Sequence, residues 1–570
     1  MELFLIDAIG PFFRGYDRKT INWSKIPFSN IALESDPRQK QFEQIRQDMQ
    51  QFTERVKSVG YNAVSLDDLA HLADHEWYEP EIRQQINAYQ EEYLKIFQII
   101  KAQDMGIYLT MDICSYTPAL KGKLQNNFDK MLDFLSKLVD QFFIDFPQVD
   151  GLIMRIGESD GLDVTGAFKS ELVLKTPSMV NQFLQILLPV FEKHKKRCIL
   201  RTWTVGAYAI GDFIWHRKTF QKVLKNINSP ALILSMKYGE SDFFRFLNLN
   251  RAFFRTSIPK IIELQTRREY EGCGEYPSFI GWDYEHYARD LKQAPNMLGI
   301  SVWCQTGGWV PFKRLAYIDV GSPWTEINSF VTLRIFRYQE SVEQALKACF
   351  GDKKHAEYVT FFRLSDEVIK ALLYTEEMAR QKLYFRRVRI PPLLGVYWNN
   401  IFINHSMRKI MRYFIKDQEA CIRDGYNALA KIKQMKKLAK ELELPVDDIK
   451  YMHDTFKLLA LARQYFFYPY DESVRKRLKT AKQKYKAAYP KNTRPRYRIK
   501  MDFEPFHLNS RLLHWSFNII LRRQRGYRLL DQLFTIYILS FIYRLIRTTR
   551  ANWIPKFARK SAMGIDTVFK

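Results

Sequence analysis

The chain has 570 residues, of which 46% are hydrophobic and 15% aromatic, a composition that is typical of packed globular proteins and excludes a disordered chain. It carries 88 Lys and Arg against 62 Asp and Glu, and this net charge of +26 favours polyanionic partners: acidic polysaccharide, anionic lipid or nucleic acid. Six scattered cysteines without a CxxC pair, and a start without the basic and small-residue regions of a signal peptide, indicate a cytoplasmic protein.

Eight short apolar segments alternate with longer amphipathic ones in the first part of the chain. Near-continuous apolar strands between helices are typical of a parallel sheet that is buried on both faces. No glycine-rich phosphate loop follows the first segment, so the sequence predicts an α/β fold with a (β/α)8 barrel over residues 1–325 rather than a doubly wound sheet. The predicted strands cover residues 3–10, 62–69, 106–113, 151–158, 198–203, 231–238, 259–265 and 298–304.

The strand pattern stops after the barrel. Segments such as "LSDEVIKALLYTEEMARQKL" have the helical period, so residues 326–510 are predicted to form an all-α domain. Residues 511–570 combine arginines with aromatic and aliphatic residues, and their longest apolar run without charge, Gln532 to Tyr543, is too short for the roughly 20 residues that span a bilayer. We expect a basic amphipathic segment that contacts an anionic membrane surface peripherally, on its inner face. Packing of this segment on the helical domain, or on a second subunit of a homo-oligomer, is the alternative.

Ionisable residues follow four of the predicted strands. The C-terminal ends of barrel strands form the active-site face, so these residues are predicted to meet there. Converging carboxylates suit glycoside hydrolysis, which needs one acid on the leaving oxygen and another on water or on the anomeric carbon. Ion pairing with the neighbouring cations at the barrel rim is the structural alternative. The residues are Arg155, Glu158 and Asp160 after the fourth strand, Arg201 and Trp203 after the fifth, Lys237, Glu240 and Asp242 after the sixth, and Glu263 and Glu269 after the seventh.

Five stretches resemble the catalytic barrel of glycoside hydrolase family 67, the α-glucuronidases, in order and in spacing. They are "SVGYNAVSLDDL", "DGLIMRIGESDG", "LRTWTVG", "KYGESDF" and "ELQTRREYEG". The resemblance implies an inverting hydrolase in which Asp242 and Glu269 activate water and a residue after the fourth strand is the general acid. That acid is Glu158 if the strands are aligned and Asp160 if the trailing glycine is aligned. We prefer Glu158, because its longer side chain reaches a glycosidic oxygen more easily.

The same resemblance implies that Arg201 binds the carboxylate of a uronic acid, together with Arg155 in place of the family's lysine. A bidentate guanidinium suits a carboxylate, so the expected substrate is an acidic glycan or oligosaccharide. Glu263 leaves a retaining mechanism open, because it lies nearer the end of the seventh strand. No cofactor and no metal are expected. The predicted substrate-binding residues are Arg155, Arg201, Trp203, Lys237, Glu263 and Trp303, and Trp309 is a further aromatic surface for sugar rings.

Two other classes of function compete with a hydrolase. A non-catalytic barrel could bind glycans as a scaffold in a membrane-associated complex that assembles polysaccharide, and the geometry of Glu158, Asp242 and Glu269 around one cavity distinguishes the two. Nucleic-acid binding would require a basic face with interleaved aromatic residues and no acidic cleft. The acids at the strand ends argue against a nucleic-acid partner.

Overall fold

Eight parallel strands close into a barrel, as the sequence predicts, in the computed structural model. Every predicted strand is confirmed, and each pairs with its neighbours in parallel register. The strands are β1 (Leu3–Asp7), β2 (Ala63–Asp67), β3 (Gly106–Asp112), β4 (Gly151–Arg155), β5 (Arg197–Arg201), β6 (Leu232–Lys237), β7 (Lys260–Gln265) and β8 (Met297–Trp303). The structure describes residues 1–15, 26–156, 166–204, 208–305, 314–320, 323–380, 382–385, 388–390, 396–397, 400–469, 471–490, 496–503, 515, 521–522 and 536–549.

Helices surround the barrel on its outside. The apolar residues of each strand that point outward pack against them in one large core. The connection from β6 to β7 contains the 3₁₀ helix Arg251–Phe254, and two short antiparallel strands, Ser115–Tyr116 and Lys169–Ser170, form a separate small sheet. The barrel helices are α1 (Ser35–Val59), α2 (Pro80–Ala102), α3 (Pro118–Leu124), α4 (Phe128–Asp145), α5 (Pro177–Lys193), α6 (Arg217–Val223), α7 (Gly281–Leu291) and α8 (Pro323–Tyr338).

A mainly helical region follows the barrel. Its helices are α9 (Val342–Phe350), α10 (His355–Leu372), α11 (Glu376–Ala379), α12 (His405–Phe414), α13 (Gln418–Glu441), α14 (Val446–Phe467) and α15 (Glu472–Ala488). Short strands accompany them, which the sequence analysis did not predict because alternation over five or fewer residues is a weak signal. Lys382–Phe385, Val388–Ile390 and Leu521–Arg522 form one sheet, and Val396–Tyr397, Asn400–Asn404 and Arg498–Asp502 form another.

Buried polar contacts attach the helical region to the barrel. The carboxylate of Asp448 on α14 accepts hydrogen bonds from Arg314 at 2.6 and 2.8 Å and from the indole of Trp324 at 2.8 Å. The hydroxyl oxygens of Tyr276 and Tyr497 are 2.8 Å apart. The loop after β7 is therefore covered by helical-region residues rather than by solvent.

Within the C-terminal segment the structure describes Trp515, the strand Leu521–Arg522 and the helix Ile536–Thr549. On this helix Phe541 is 68% exposed and Leu545 is 52% exposed. Across the described ranges, no helix has both the length and the apolar content that crossing a membrane requires.

Candidate active site

The inside of the barrel changes character along its axis. Side chains alternate between the two faces of a strand, so every second residue points inward. At the N-terminal half the inward residues form a small apolar cluster, and at the C-terminal half the same faces carry charged and polar side chains. The apolar cluster contains Leu3, Leu5, Ala63, Tyr108, Ile153, Ile199, Ile233 and Ile261. Continuing in steps of two gives Asp7, Ser65, Asp67, Thr110, Asp112, Arg155, Arg201, Ser235, Lys237, Glu263 and Gln265, and Ser301 and Trp303 of β8 are in register with Glu263 and Gln265.

One side of this polar mouth, which we call the β5–β7 wall, consists of Arg201, Ser235, Lys237, Asp242 and Glu263. The Arg201 guanidinium binds Glu263 through two hydrogen bonds, at 3.1 Å from Nε and 3.0 Å from Nη2. The Ser235 hydroxyl donates to Glu263 Oε1 at 2.8 Å. Burial raises the pKa of Glu263, but the Arg201 charge and its hydrogen bonds outweigh burial and hold that pKa below its usual range. Glu263 is therefore ionised at neutral pH.

Asp242 lies just beyond the end of β6 and has its own cation. Lys237 Nζ donates to Asp242 Oδ1 at 2.6 Å, and the hydroxyl of Tyr270 donates to Oδ2 at 2.8 Å. Burial raises the pKa of Asp242, but the charge and hydrogen bond of Lys237, followed by the hydrogen bond of Tyr270, lower it below its usual range. Lys237 also stands directly opposite Glu263 in the strand register, so one ammonium serves both acids.

Two tryptophans contact the cations of the β5–β7 wall. The Lys237 ammonium lies 4.0 Å from the centre of the Trp203 ring, and the Arg201 guanidinium lies 4.6 Å from the centre of the Trp303 ring. Such contacts stabilise a desolvated cation by about 1–2 kcal/mol. The two tryptophans therefore position charges, in addition to the sugar stacking that the sequence analysis predicts for them.

The opposite side, which we call the β2–β4 wall, consists of Asp67, Thr110, Asp112, Arg155 and Ser170. Arg155 and Asp112 are register partners, and Arg155 Nε lies 2.7 Å from Asp112 Oδ1. The Ser170 hydroxyl donates to Asp112. Asp67 is 2% exposed, and its Oδ2 accepts no hydrogen bond from the residues that the structure describes. Burial, opposed by the charge of Arg155, raises the pKa of Asp67 to about 7.

Two further acids, Asp7 and Glu269, lie at the mouth of the barrel. Asp7 accepts hydrogen bonds from the backbone N–H groups of Cys304 and Gln305, so it fixes the end of β8. Glu269 is 5% exposed, and its backbone N–H donates to the side-chain oxygen of Gln265 at 2.8 Å. Its neighbour Tyr270 is the residue that contacts Asp242, so Glu269 and Asp242 belong to adjoining loops.

The structure thus places the predicted residues Arg155, Arg201, Trp203, Lys237, Asp242, Glu263, Glu269 and Trp303 at one end of the barrel. Glu158, Asp160 and Trp309 lie outside the described residues. In the described part of the chain, no three His, Cys, Asp or Glu side chains are grouped as metal ligands. The catalytic and substrate-binding residues predicted from the sequence do not include Asp67, Asp112, Ser235 or Tyr270, although counting inward positions in steps of two along β2, β3 and β6 finds the first three.

No family model matches the chain, and no curated protein matches it. It is similar in structure to a GH138 enzyme targeting pectin rhamnogalacturonan II, with 11% identity, a TM-score of 0.45, and coverage of 89% of this chain and 64% of that chain. It therefore spans less than two thirds of that enzyme's length. It is also similar to a mutant O-GlcNAc hydrolase of Thermobaculum terrenum (10% identity, TM-score 0.36, 89% and 94% covered) and to a β-mannanase of the blue mussel Mytilus edulis (12%, 0.33, 60% and 94%). The barrel fold rests on the chain's own strand pairing.

Proposed function

We propose that the chain is a glycoside hydrolase whose active site is the carboxyl end of the barrel. The proposal depends on one arrangement: the same barrel mouth holds Asp242 and Glu263, whose pKa values the adjacent cations lower, on the β5–β7 wall, and Asp67, whose pKa burial raises to about 7, on the β2–β4 wall. Hydrolysis of a glycosidic bond needs both forms, because one carboxyl group must give a proton while the other accepts one or attacks. Asp242 is ionised and suits the activation of water. The likeness to family 67 assigns the same role to Asp242, with Glu269.

The general acid has three candidates. The likeness to family 67 implies Glu158, with Asp160 as its alternative. Asp67 is the third candidate, because its pKa of about 7 is the property that a general acid needs at neutral pH. Replacing Glu158, Asp160 or Asp67 by the matching amide separates them: the true acid loses about 10²–10⁴-fold in kcat, and least with substrates whose leaving group needs no proton.

The stereochemical outcome follows from which acid can be reached. Hydrogen bonds engage both oxygens of Glu263 and both oxygens of Asp242, but the Glu263 side chain is 1% exposed and that of Asp242 is 12% exposed. A nucleophile must be accessible to the anomeric carbon, so this burial favours Glu263 as the residue that orients Arg201. We therefore propose an inverting reaction, and NMR of the first-formed anomer tests it. A retained anomer would return Glu263 to the role of nucleophile.

The proposed substrate is an acidic, uronic-acid-type glycan, with Arg155 and Arg201 on its carboxylate. Each guanidinium is already paired with a carboxylate, Arg155 with Asp112 on the adjacent strand and Arg201 with Glu263 two strands away, so its positive charge is compensated. That observation favours a neutral sugar as a second candidate. Matched 4-nitrophenyl glycosides decide, because glucuronide and glucoside differ only in the carboxylate. A higher kcat/KM for the glucuronide, lost in Arg201→Lys, supports the acidic substrate.

The central experiment measures release of 4-nitrophenol from a panel of glycosides by the wild type and by Asp242→Asn. The Asp242→Asn protein is expected to lose about 10²–10⁴-fold in kcat, because it lacks the base. Asp104→Asn is the matched control, since its carboxylate is exposed and precedes β3 at the other end of the barrel. Binding of glycans without turnover of any of them would instead support the scaffold function.

For the C-terminal segment we propose peripheral contact with an anionic membrane, at the inner face of a cytoplasmic membrane. The helix Ile536–Thr549 exposes Phe541 and Leu545 together with Arg544, the combination that binds the interface of acidic lipid bilayers. The full chain is expected to float with liposomes that contain phosphatidylserine at low salt. Deletion of residues 511–570, or the pair Phe541→Ser and Leu545→Ser, should abolish flotation. Unchanged flotation would leave packing on the helical region or on a second subunit as the role of this segment.

A further inference from the structure

A cluster of buried charges lies behind the β5–β7 wall. Arg245 is 1% exposed and Glu271 is fully buried. Arg245 Nη2 donates to Glu271 Oε2 at 2.9 Å, and Nε is 3.2 Å from each Glu271 oxygen. Arg245 follows Asp242 by three residues, and Glu271 follows Glu269 by two. The pair therefore joins the loops that carry the two proposed catalytic carboxylates.

The helical region contributes to the same cluster. The hydroxyl of Tyr374, just after α10, donates to Glu271 Oε1 at 2.7 Å. Arg245 also contacts Asp283 on α7 and Asp366 on α10, and Lys370 Nζ donates to both of these acids at 3.0 and 2.9 Å. With Arg268, which binds Glu271 at 3.1 Å from Nε, the cluster balances three cations against three acids.

The loops after β6 and β7 contact each other in two places, one beside Asp242 and one at the buried cluster. In front, the Tyr270 hydroxyl contacts Asp242, and the rings of Tyr270 and Phe244 are 4.4 Å apart. Behind, Arg245 contacts Glu271, whose backbone is bonded directly to that of Tyr270. A change at Glu271 is therefore transmitted to Tyr270, which supplies the hydrogen bond to Asp242 Oδ2, while Lys237 and the Phe243 N–H donate to Oδ1.

The geometry points to Tyr374 and Arg245 as positioning residues. Acting through Glu271, they hold Tyr270 against Asp242, and the helical region thereby contributes to the active site. This inference rests on the proposed function, because it takes Asp242 as catalytic. A purely structural cluster would stabilise the fold and leave the chemistry of Asp242 unchanged, so the two roles predict different results.

The first test is Tyr374→Phe, which removes one hydroxyl and keeps the ring that packs near Phe246, 6.0 Å away. We expect kcat to fall about tenfold with KM within about twofold, since misplacement of a catalytic group by a fraction of an ångström affects the transition state. The acidic limb of the pH profile should move upward, because the Tyr270 hydrogen bond lowers the pKa of Asp242. Tyr358→Phe is the control: Tyr358 lies on α10, the helix that precedes Tyr374, and its hydroxyl donates to the Leu442 carbonyl at 3.2 Å.

The second test asks whether the effect passes through Tyr270. Tyr270→Phe removes the donor to Asp242 directly and should move the acidic limb at least as far. In the double variant, Tyr374→Phe should add little to the shift, because coupled residues are not additive. Additive shifts would mean that Tyr374 does not act through Tyr270, and the inference would be overturned.

Hydrogen exchange separates this inference from the proposed function. Residues 266–276 should exchange faster in Tyr374→Phe than in the wild type or in Tyr358→Phe, whether or not a glycoside is hydrolysed. No turnover by the wild type would refute the proposed function alone, whereas unchanged exchange or an unchanged pH profile would refute the positioning role alone. If Tyr374→Phe does not fold, Ser278→Ala replaces it, because the Ser278 hydroxyl also donates to Glu271.

Discussion

The two walls of the barrel mouth use the same residue types and reach opposite protonation states. On the β5–β7 wall two cations, Arg201 and Lys237, face two acids, so both acids are ionised although they are buried. On the β2–β4 wall Asp67 and Asp112 share one cation, Arg155, which lies 2.7 Å from Asp112. Burial then dominates at Asp67 and its pKa rises to about 7. The ratio of cations to acids, rather than burial, decides which carboxyl group keeps its proton.

The difference also shows why stability and chemistry are coupled in this barrel. A buried carboxylate with its cation needs that cation, because removing one partner leaves an uncompensated charge inside the protein. A buried carboxyl group that stays protonated imposes no such requirement at low pH, but it penalises folding as the pH rises. The three predictions that follow test this contrast, from the largest expected change in the free energy of unfolding to the smallest.

Arg201→Ala should destabilise the protein most. Its side chain and that of Glu263 are 6% and 1% exposed, so the variant leaves Glu263 buried without its cation, and we expect a loss of about 3–5 kcal/mol in the free energy of unfolding. Urea unfolding followed by tryptophan fluorescence measures it.

The matched control is Arg197→Ala, at the opposite end of the same strand. There the arginine and its partner Glu2 are 42% and 64% exposed, and such a surface pair contributes about 1 kcal/mol or less. Equal losses in the two variants would show that Glu263 does not depend on Arg201, and the account of the β5–β7 wall would be wrong.

Asp67→Asn tests the other wall. The pKa of Asp67 in the folded protein, about 7, lies above the ordinary value of 3.8. The folded state therefore holds a proton that the unfolded state loses between these values, and this contribution to stability, full below pH 4, is lost as the pH rises to 7. The asparagine does not titrate, so at pH 8 the variant should be more stable than the wild type by about 2–4 kcal/mol, and by much less at pH 4.

Unfolding measured from pH 4 to pH 8 in the wild type and in Asp67→Asn checks this prediction. Asp104→Asn should show no such divergence, because its side chain is fully exposed. If the free energy of unfolding had the same pH dependence in the wild type and in Asp67→Asn, Asp67 would be ionised like Glu263. The contrast between the two walls would then disappear.

The sequence predicts the fold well because each barrel strand is a local pattern. The apolar segment that ends in Arg155 is visible without knowing its neighbours, and so is its position at a strand end. Pairing is not local. Tyr270 meets Asp242 across 28 residues, and Tyr374 meets Glu271 across 103, so no spacing rule brings them together.

Protonation was the least predictable property of the site. In the sequence, Asp67, Asp242 and Glu263 are similar acids at strand ends, and of these three the resemblance to family 67 implies a catalytic role for Asp242 alone. Their different states arise from which cation stands in register opposite each acid, as Lys237 does for Glu263. Register between strands follows from the closed barrel, so it becomes known only when the structure is known.

The smallest expected change in the free energy of unfolding comes from removing one hydroxyl group on each wall. Ser235→Ala removes a donor to Glu263, which is ionised throughout the range from pH 5 to pH 8, so we expect a loss of about 1–2 kcal/mol at both values. Thr110→Val removes the hydroxyl that binds the ionised form of Asp67, so its loss should be small at pH 5, where Asp67 is protonated, and should approach that of Ser235→Ala at pH 8. Both residues are buried at register positions that point inward, which makes the pair well matched. A loss for Thr110→Val that is the same at pH 5 and pH 8 would contradict a proton on Asp67, even if Asp67→Asn proved stabilising.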